Sequence, residues 1–298
     1  MSEETYLCTS HLIMKKILWL LGFCFTSLLQ GQGYHLGLRI GLNYSMLEGP
    51  LEENASFGTA PGFHIGPVFS YAFSDIMGLR GEVIFSQKGS KFDYSGPSYF
   101  TIRKNNDFIT TNGTRTMKSV INNNYLDIPL MFYTLLFERV DVSVGGYASI
   151  LVGSTGRGDL VYSGKRDNSN APVGPIKFLL DQNFFKDRAG TTSSSVTQTI
   201  RLEGDQIVLP ERLGGYYEYR TKPDGNKYNS LDYGLAGAIH YRLSRGLYAG
   251  VRYQWGIADI SNDTFEVSYK TLSPTKEFIL VPAKQQHRGL QVSLMLQL

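Results

Sequence analysis

The chain has 298 residues and is rich in glycine and aromatic side chains, with 32 Gly, 19 Tyr and 17 Phe. This composition favours many strands and turns over long helices. The formal net charge of +3 is too weak to imply a nucleic-acid partner. The length fits one large β domain or two ordinary domains.

Residues 1–31 are predicted to be an N-terminal extension and a signal peptide. The pair Lys15-Lys16 precedes an apolar run at 17–29, and residues 30–32 offer small or polar side chains for cleavage. The run is shorter than the roughly 20 residues of a transmembrane helix. Acidic residues ahead of the lysines are unusual for a signal peptide, so we expect the true start at Met14. A buried core helix is the alternative interpretation.

The two cysteines, Cys8 and Cys24, both lie in this N-terminal segment. Residues 32–298 therefore contain no thiol. A disulfide, a zinc–thiolate centre and a cysteine nucleophile are excluded for that part of the chain.

Eight later segments alternate apolar and polar residues with a period of two, which is the period of a β-strand. The clearest is 124–136, where Leu126, Ile128 and Leu130 share one face and Asp127 lies on the other. The eight predicted strands are 36–44, 63–73, 78–88, 124–136, 140–152, 231–243, 247–257 and 290–298.

Short and long connections alternate along these strands. The short ones follow the even-numbered strands, and the long ones include 89–123, 153–230 and 258–286. This pattern predicts an all-β fold for 32–298, an eight-stranded antiparallel transmembrane β-barrel with long extracellular loops, in the outer membrane of a Gram-negative bacterium. The long loop insertion at about 153–230 is expected to hold a short helix at Lys177–Lys186 and an inserted hairpin from residues 192–203 and 215–220.

Charged residues occupy the face opposite the apolar one. A charge that faces the middle of the bilayer costs roughly 2–4 kcal/mol, so these side chains are expected to point inward. An eight-stranded barrel is just wide enough to be filled by side chains, which predicts a lumenal salt-bridge network and no pore. The alternative is a soluble barrel of lipocalin type, with its apolar residues inside. The predicted lumenal residues are Arg39, Arg80, Glu82, Asp127, Asp141, Asp232, Arg242 and Arg252.

The sequence gives little support for a catalytic, metal or cofactor site. His64, His240 and His287 lie on separate segments without the spacing of metal ligands, and the first two are expected to be hydrogen-bonded structural residues. Ser154, Asp159 and His287 are the candidates for a hydrolytic triad at the loop-side rim, although triads are recognised by geometry and not by sequence.

Two short motifs carry a family resemblance. Residues 82–89 read Glu-Val-Ile-Phe-Ser-Gln-Lys-Gly, and residues 125–130 read Tyr-Leu-Asp-Ile-Pro-Leu. Together they resemble the PorT-like family of Bacteroidota outer-membrane barrels. The resemblance implies a role in type IX secretion or a related envelope assembly.

The function predicted from these features is a non-enzymatic structural or accessory component of an envelope assembly. Its expected partners are outer-membrane lipid and an envelope protein bound through the extracellular loops, with no nucleic acid and no small-molecule cofactor. The aromatic run at 216–219 suits a docking surface centred on 153–230. The alternative is an outer-membrane barrel enzyme, a lipid or peptide hydrolase with a site at its rim.

Overall fold

A computed structural model describes residues 33–104, 107–185, 196–215 and 225–298. The predicted N-terminal extension and signal peptide lie outside these residues. The described part is all-β, apart from one 3-10 turn at Asp263–Phe265. Its strands are β1 Tyr34–Glu48, β2 Ala55–Ala72, β3 Met77–Glu82, β4 Ile84–Lys104, β5 Asp107–Leu136, β6 Val140–Arg166, β7 Pro172–Asn183, β8 Thr197–Leu202, β9 Asp205–Pro210, β10 Arg212–Leu213, β11 Leu231–Ser244, β12 Leu247–Gly256 and β13 Gln286–Gln297.

The barrel is antiparallel and closed, and it has eight strands if β3 and β4 are counted as one. β3 and β4 are one path interrupted at Val83, because both pair with β2 on one side and with β5 on the other. The order continues through β6, β11 and β12 to β13, which pairs with β1 and closes the cylinder. The prediction of an eight-stranded antiparallel barrel is confirmed.

The outer face of the barrel is apolar and the inner face is polar. Leu130 is 60% exposed and Ile239 is 59% exposed, whereas the neighbouring inward side chains of Met131 and His240 are buried. This arrangement is the one that a lipid environment favours, because charges on the lipid face are costly. A lipocalin-type barrel has the opposite arrangement, with its apolar side chains inside. The alternative of a soluble barrel is therefore wrong.

Aromatic rings line the membrane edge on the side of the short turns. Tyr34 and Tyr71 have ring centroids 4.7 Å apart, and Phe73 continues the row to Phe132 with centroids 5.9 Å apart. Aromatic belts of this kind sit at the interface between lipid tails and water.

Three strands, β4, β5 and β6, extend far beyond the bilayer. β5 has 30 residues and β6 has 27, whereas a membrane-spanning strand needs roughly 9–11. Residues 89–104 and 107–123 and the part of 153–230 that lies in β6 and β7 are therefore strands, and the prediction of loops there is wrong. We call the extracellular part of the described chain the cap; it comprises residues 47–61, 89–104, 107–123, 153–185, 196–215, 225–230 and 258–285.

The cap has its own hydrophobic core. Tyr94, Tyr162, Ile176 and Phe178 are at most 2% exposed and belong to one large apolar cluster. The apolar cluster inside the barrel is far smaller. Apolar side chains thus face outward in the membrane and inward in the cap, because the solvent changes from lipid to water.

The predicted helix at Lys177–Lys186 is wrong for residues 177–185, and Lys186 lies outside the described residues. Residues up to Asn183 belong to β7, which pairs with β6. Ile176, Phe178 and Leu180 alternate into the cap core, and this period of two is that of a strand. The predicted inserted hairpin is present in shifted form, as β8 and β9 joined at Glu203-Gly204; residues 192–195 and 216–220 lie outside the described residues.

Within the part of the chain described above, no helix has the length and apolar character to cross a membrane.

Candidate functional site

The lumen of the barrel holds eight buried charged side chains, four basic and four acidic. They form two groups at different heights, which we call the lower cluster and the upper cluster. The lower cluster, nearer the short turns, contains Arg39, Arg80, Glu82, Asp141 and Arg252. The upper cluster, nearer the cap, contains Lys88, Asp127 and Asp232.

Glu82 is the centre of the lower cluster. Its Oε1 lies 2.9 Å from Arg39 Nη2 and 2.5 Å from Arg252 Nη2. The three residues come from β3, β1 and β12, so the ion pairs cross the lumen between strands that are not all neighbours. All three side chains are at most 2% exposed, and truncating one member of such a group leaves a buried charge unpaired.

Arg80 and Asp141 complete the lower cluster. Arg80 Nη2 donates to Asp141 Oδ2 at 2.5 Å, and Arg80 Nε donates to Ser70 at 3.3 Å. The guanidinium also lies 4.7 Å from the ring centroid of Tyr133. On the other side of the carboxylate, His240 Nδ1 lies 3.5 Å from Asp141.

Lys88 bridges two carboxylates in the upper cluster. Its Nζ lies 3.0 Å from Asp127 and 3.3 Å from Asp232. The ammonium also lies over the rings of Tyr125 and Tyr147, at 5.0 Å and 4.5 Å from their centroids. Cation–π contacts of this kind are strongest where water is excluded.

Asp232 also contacts other polar side chains near Lys88. Tyr147 donates its hydroxyl to Asp232 at 3.4 Å, and His287 Nδ1 lies 3.2 Å from the same carboxylate. The ring of Tyr125 meets His287 edge-on, with centroids 5.3 Å apart. Tyr125 is also part of the cap core, so it joins the lumen to the cap.

Between the clusters, the lumen is filled by uncharged polar side chains that hydrogen-bond to one another and to the backbone. Asn43 donates to Ser86 Oγ and to the Gln87 carbonyl, at 3.1 Å and 2.8 Å. His64 Nδ1 lies 2.7 Å from Oδ1 of the Asn43 side chain. The space bordered by Asn43, Lys88 and His287 measures about 10 Å³, enough for roughly one water molecule. The polar lumen is closely packed around these residues.

The structure brings together seven of the eight residues predicted for the lumen. Arg242 lies apart, half-buried at the end of β11, where its guanidinium donates to the Glu138 carbonyl in the short turn. Lys88 takes its place as the fourth base. Lys88 was not among the residues predicted for the lumen, although it has the same even-numbered spacing as Glu82 and Ser86, which are also buried there.

The two short motifs lie side by side in the barrel wall. Residues 84–89 of β4 pair in register with 122–127 of β5, and the first motif supplies Glu82 and Lys88 while the second supplies Tyr125 and Asp127. The final Gly89 allows close packing, since a Cβ there would lie 2.9 Å from the Ile121 carbonyl oxygen and 3.0 Å from the Ala60 methyl. The motifs therefore encode much of the lumenal packing.

The candidate triad is not assembled. Ser154 is buried and donates to Asn123 at 2.5 Å, whereas Asp159 faces outward farther along β6. His287 pairs with Asp232. Among the described residues, no group of three or more His, Cys, Asp or Glu side chains is placed to hold a metal ion.

This chain has a low level of similarity to solved structures of outer-membrane barrels, as two examples show. Ail, the attachment invasion locus protein of Yersinia pestis, is 8% identical, with 90% of this chain and 100% of that chain covered and a TM-score of 0.32. OprG from Pseudomonas aeruginosa is 9% identical, with 89% and 96% covered and a TM-score of 0.33. Similarity this low carries no conclusion about ligands or partners. No curated protein sequence matches the chain.

The family assignment comes from the sequence itself. Residues 30–262 match the family described as outer membrane protein beta-barrel domain, which spans most of the barrel and the cap. The predicted location in the outer membrane of a Gram-negative bacterium is confirmed. The chain belongs to the outer membrane protein beta-barrel domain family.

Proposed function

We propose that the chain is a non-enzymatic accessory component of an outer-membrane assembly and that its cap docks another envelope protein. The observation that carries this proposal is the contrast between a lumen filled by ion pairs and a cap that has its own hydrophobic core. A filled lumen is unsuited to solute passage. A folded cap on long strands presents a rigid surface above the membrane.

We further propose that the chain is PorT-like and acts in type IX secretion or a related envelope assembly of Bacteroidota. This proposal rests on the resemblance of residues 82–89 and 125–130 to the PorT-like motifs. Its physical support is that these motifs supply Glu82, Lys88 and Asp127 to the lumen. A shared way of closing the barrel is a structural reason for two proteins to share these residues.

We also propose that residues 1–31 serve in export and that 32–298 form the mature protein. The basic pair and apolar run at 15–29 support this, because an outer-membrane protein must cross the inner membrane. Amino-terminal sequencing of the chain purified from outer membranes tests it. A mature protein that retains Lys15-Lys16 would contradict the proposal.

The docking surface is proposed to lie on the cap, around the β8–β9 hairpin. Leu202, Ile207 and Leu209 anchor this hairpin in the cap core, whereas Val208 is 62% exposed on its outer face. Deleting the whole hairpin would remove buried core residues, so a surface substitution is the cleaner probe. Aspartate at position 208 would place a charge in the proposed contact, and an unpaired charge in an interface weakens binding.

The test compares Val208→Asp with Phe137→Asp in copurification from detergent-solubilised outer membranes. Phe137 is 90% exposed in a short turn at the opposite end of the barrel, so it is a matched exposed apolar control. We expect V208D to lose the envelope partner and F137D to retain it, with both variants heat-modifiable on gels. Retention by V208D together with loss by F137D would place the docking surface in the periplasm and contradict the proposal.

A further inference from the structure

The cap contains a cavity of about 270 Å³. Its wall is mostly aromatic and aliphatic and includes Phe57, Phe92, Met117, Leu160, Phe184 and Phe265. Protein interiors contain few voids larger than a water molecule. An apolar cavity of about 150 Å³ in another protein stays dry and binds benzene. The cap cavity has nearly twice that volume, so it has room for a molecule larger than benzene.

The charged groups in the wall balance each other and have partners. Lys227 Nζ lies 3.0 Å from Glu266, and Glu52 accepts a hydrogen bond from the Tyr269 backbone N–H at 2.7 Å. Arg115 Nη2 donates to the Tyr99 carbonyl at 3.0 Å. Two bases thus face two acids. A ligand with a net charge would be buried without a dedicated counter-charge, which is costly.

Arg115 is further engaged by aromatic rings. Its guanidinium carbon lies 5.4 Å from the ring centroid of Tyr269. Tyr228, another wall residue, is a neutral phenol at physiological pH, and burial raises its pKa further. Arg115 keeps its charge, and the wall has no net charge because two acids, Glu52 and Glu266, balance the two bases.

Gln285 supplies a polar contact point in this wall. Its side chain is 4% exposed, and within the described residues its Oε1 has no hydrogen-bond partner. A buried acceptor without a donor is unfavourable, and buried polar groups in proteins are normally paired. A ligand hydroxyl or N–H is the missing partner that fits a cavity otherwise lined by apolar groups.

We propose that the cap cavity binds a small, uncharged, mainly apolar molecule that donates one hydrogen bond to Gln285. The cavity reaches the surface of the cap near Leu51 and Gly215, which are exposed wall residues. Entry from outside therefore does not require passage through the lumen. This binding site is independent of the proposed docking of an envelope protein.

The test titrates the full chain in lipid nanodiscs with 2-naphthol, naphthalene and 2-naphthoate, using empty nanodiscs as the blank. Methionine methyl groups carry ¹³C, so Met117 in the cavity wall reports binding and Met131, buried in the lumen, reports an intact barrel. We expect 2-naphthol to shift Met117 saturably while Met131 stays fixed. Naphthalene should bind about tenfold more weakly, because it lacks one hydrogen bond, and 2-naphthoate weaker still.

Two variants separate the cavity from non-specific binding. Gln285→Leu keeps the apolar wall and should abolish the preference for 2-naphthol over naphthalene. Leu213→Trp places a larger ring in the cavity from the short β10 and should remove the Met117 response to both. An unmoved Met117, equal binding of all three compounds, or a full response in L213W with unchanged Met131 signals would overturn the proposal.

Discussion

Lys88 Nζ lies 3.3 Å from Asp232 Oδ2 across the lumen. The two residues belong to β4 and β11, which are separated around the barrel wall by β5 and β6. Asp127 on β5 lies 3.0 Å from the same ammonium. One buried cation thus links β4 to β11, two strands that share no backbone hydrogen bonds, and the upper part of the barrel depends on it.

Replacing Lys88 by methionine should destabilise the barrel strongly. Lys88→Met leaves Asp127 and Asp232 buried without the cation between them, and breaking a buried ion pair costs about 3–5 kcal/mol. The free energy of unfolding in urea, measured in lipid vesicles, checks this. Lys91→Met on the same strand is the control, because Lys91 is exposed in the cap; an equal effect of both variants would contradict the ion-pair account.

Neutralising the two carboxylates should recover stability in the Lys88→Met background. Adding Asp127→Asn and Asp232→Asn removes the uncompensated buried charges, and neutral replacement of a whole buried charge group is often tolerated. The same urea titration compares the triple variant with K88M. A triple variant no more stable than K88M would show that packing around the lysine stem dominates.

An arginine on the outer face should be tolerated in the cap and not in the membrane. Leu130→Arg puts a charge on the lipid-facing wall and should cost about 2–4 kcal/mol. Leu280→Arg is the matched control, because Leu280 in the cap is 53% exposed and Leu130 is 60% exposed. Unfolding in vesicles measures both; equal destabilisation would mean that the residues around Leu130 do not face lipid.

A cysteine scan of residues 126–132 should show alternating labelling with a lipid-phase thiol reagent. Ile128, Leu130 and Phe132 are exposed on the outer face, and Leu126 is half-buried at the rim, so labelling should occur at even positions and be weakest at 126. Residues 32–298 contain no cysteine, which removes the background. Labelling at 127, 129 and 131, or at every position, would contradict the assigned faces.

The membrane strands were predictable because the side chains that face lipid must be apolar along one whole face of each strand. In 124–136 every even residue from Leu126 to Phe132 is apolar and Asp127 points inward. The cap strands were not predicted, because the side chains on their outer face contact water and need not be apolar. In β4 only inward residues such as Phe92 and Tyr94 mark the pattern, and serine, lysine and aspartate between them are typical of a loop.

The lumenal residues were only partly predictable for a similar reason. Period two assigns a side chain to a face but does not give its height in the membrane. Arg242 has inward parity yet lies beside the short turn and contacts Glu138. Lys88 has the same parity and lies at the centre of the upper cluster. Pairing across the lumen, as between Lys88 and Asp232, depends on barrel closure and cannot be derived from one strand.

Single-channel recording in planar bilayers tests the central claim most directly, namely that the ion pairs close the lumen. The full chain, reconstituted and shown to be heat-modifiable, should give no stable conductance, because the clusters around Glu82 and Lys88 fill a narrow interior. A reproducible open channel of porin size would contradict the packed lumen, and with it the proposal that the protein acts through its cap.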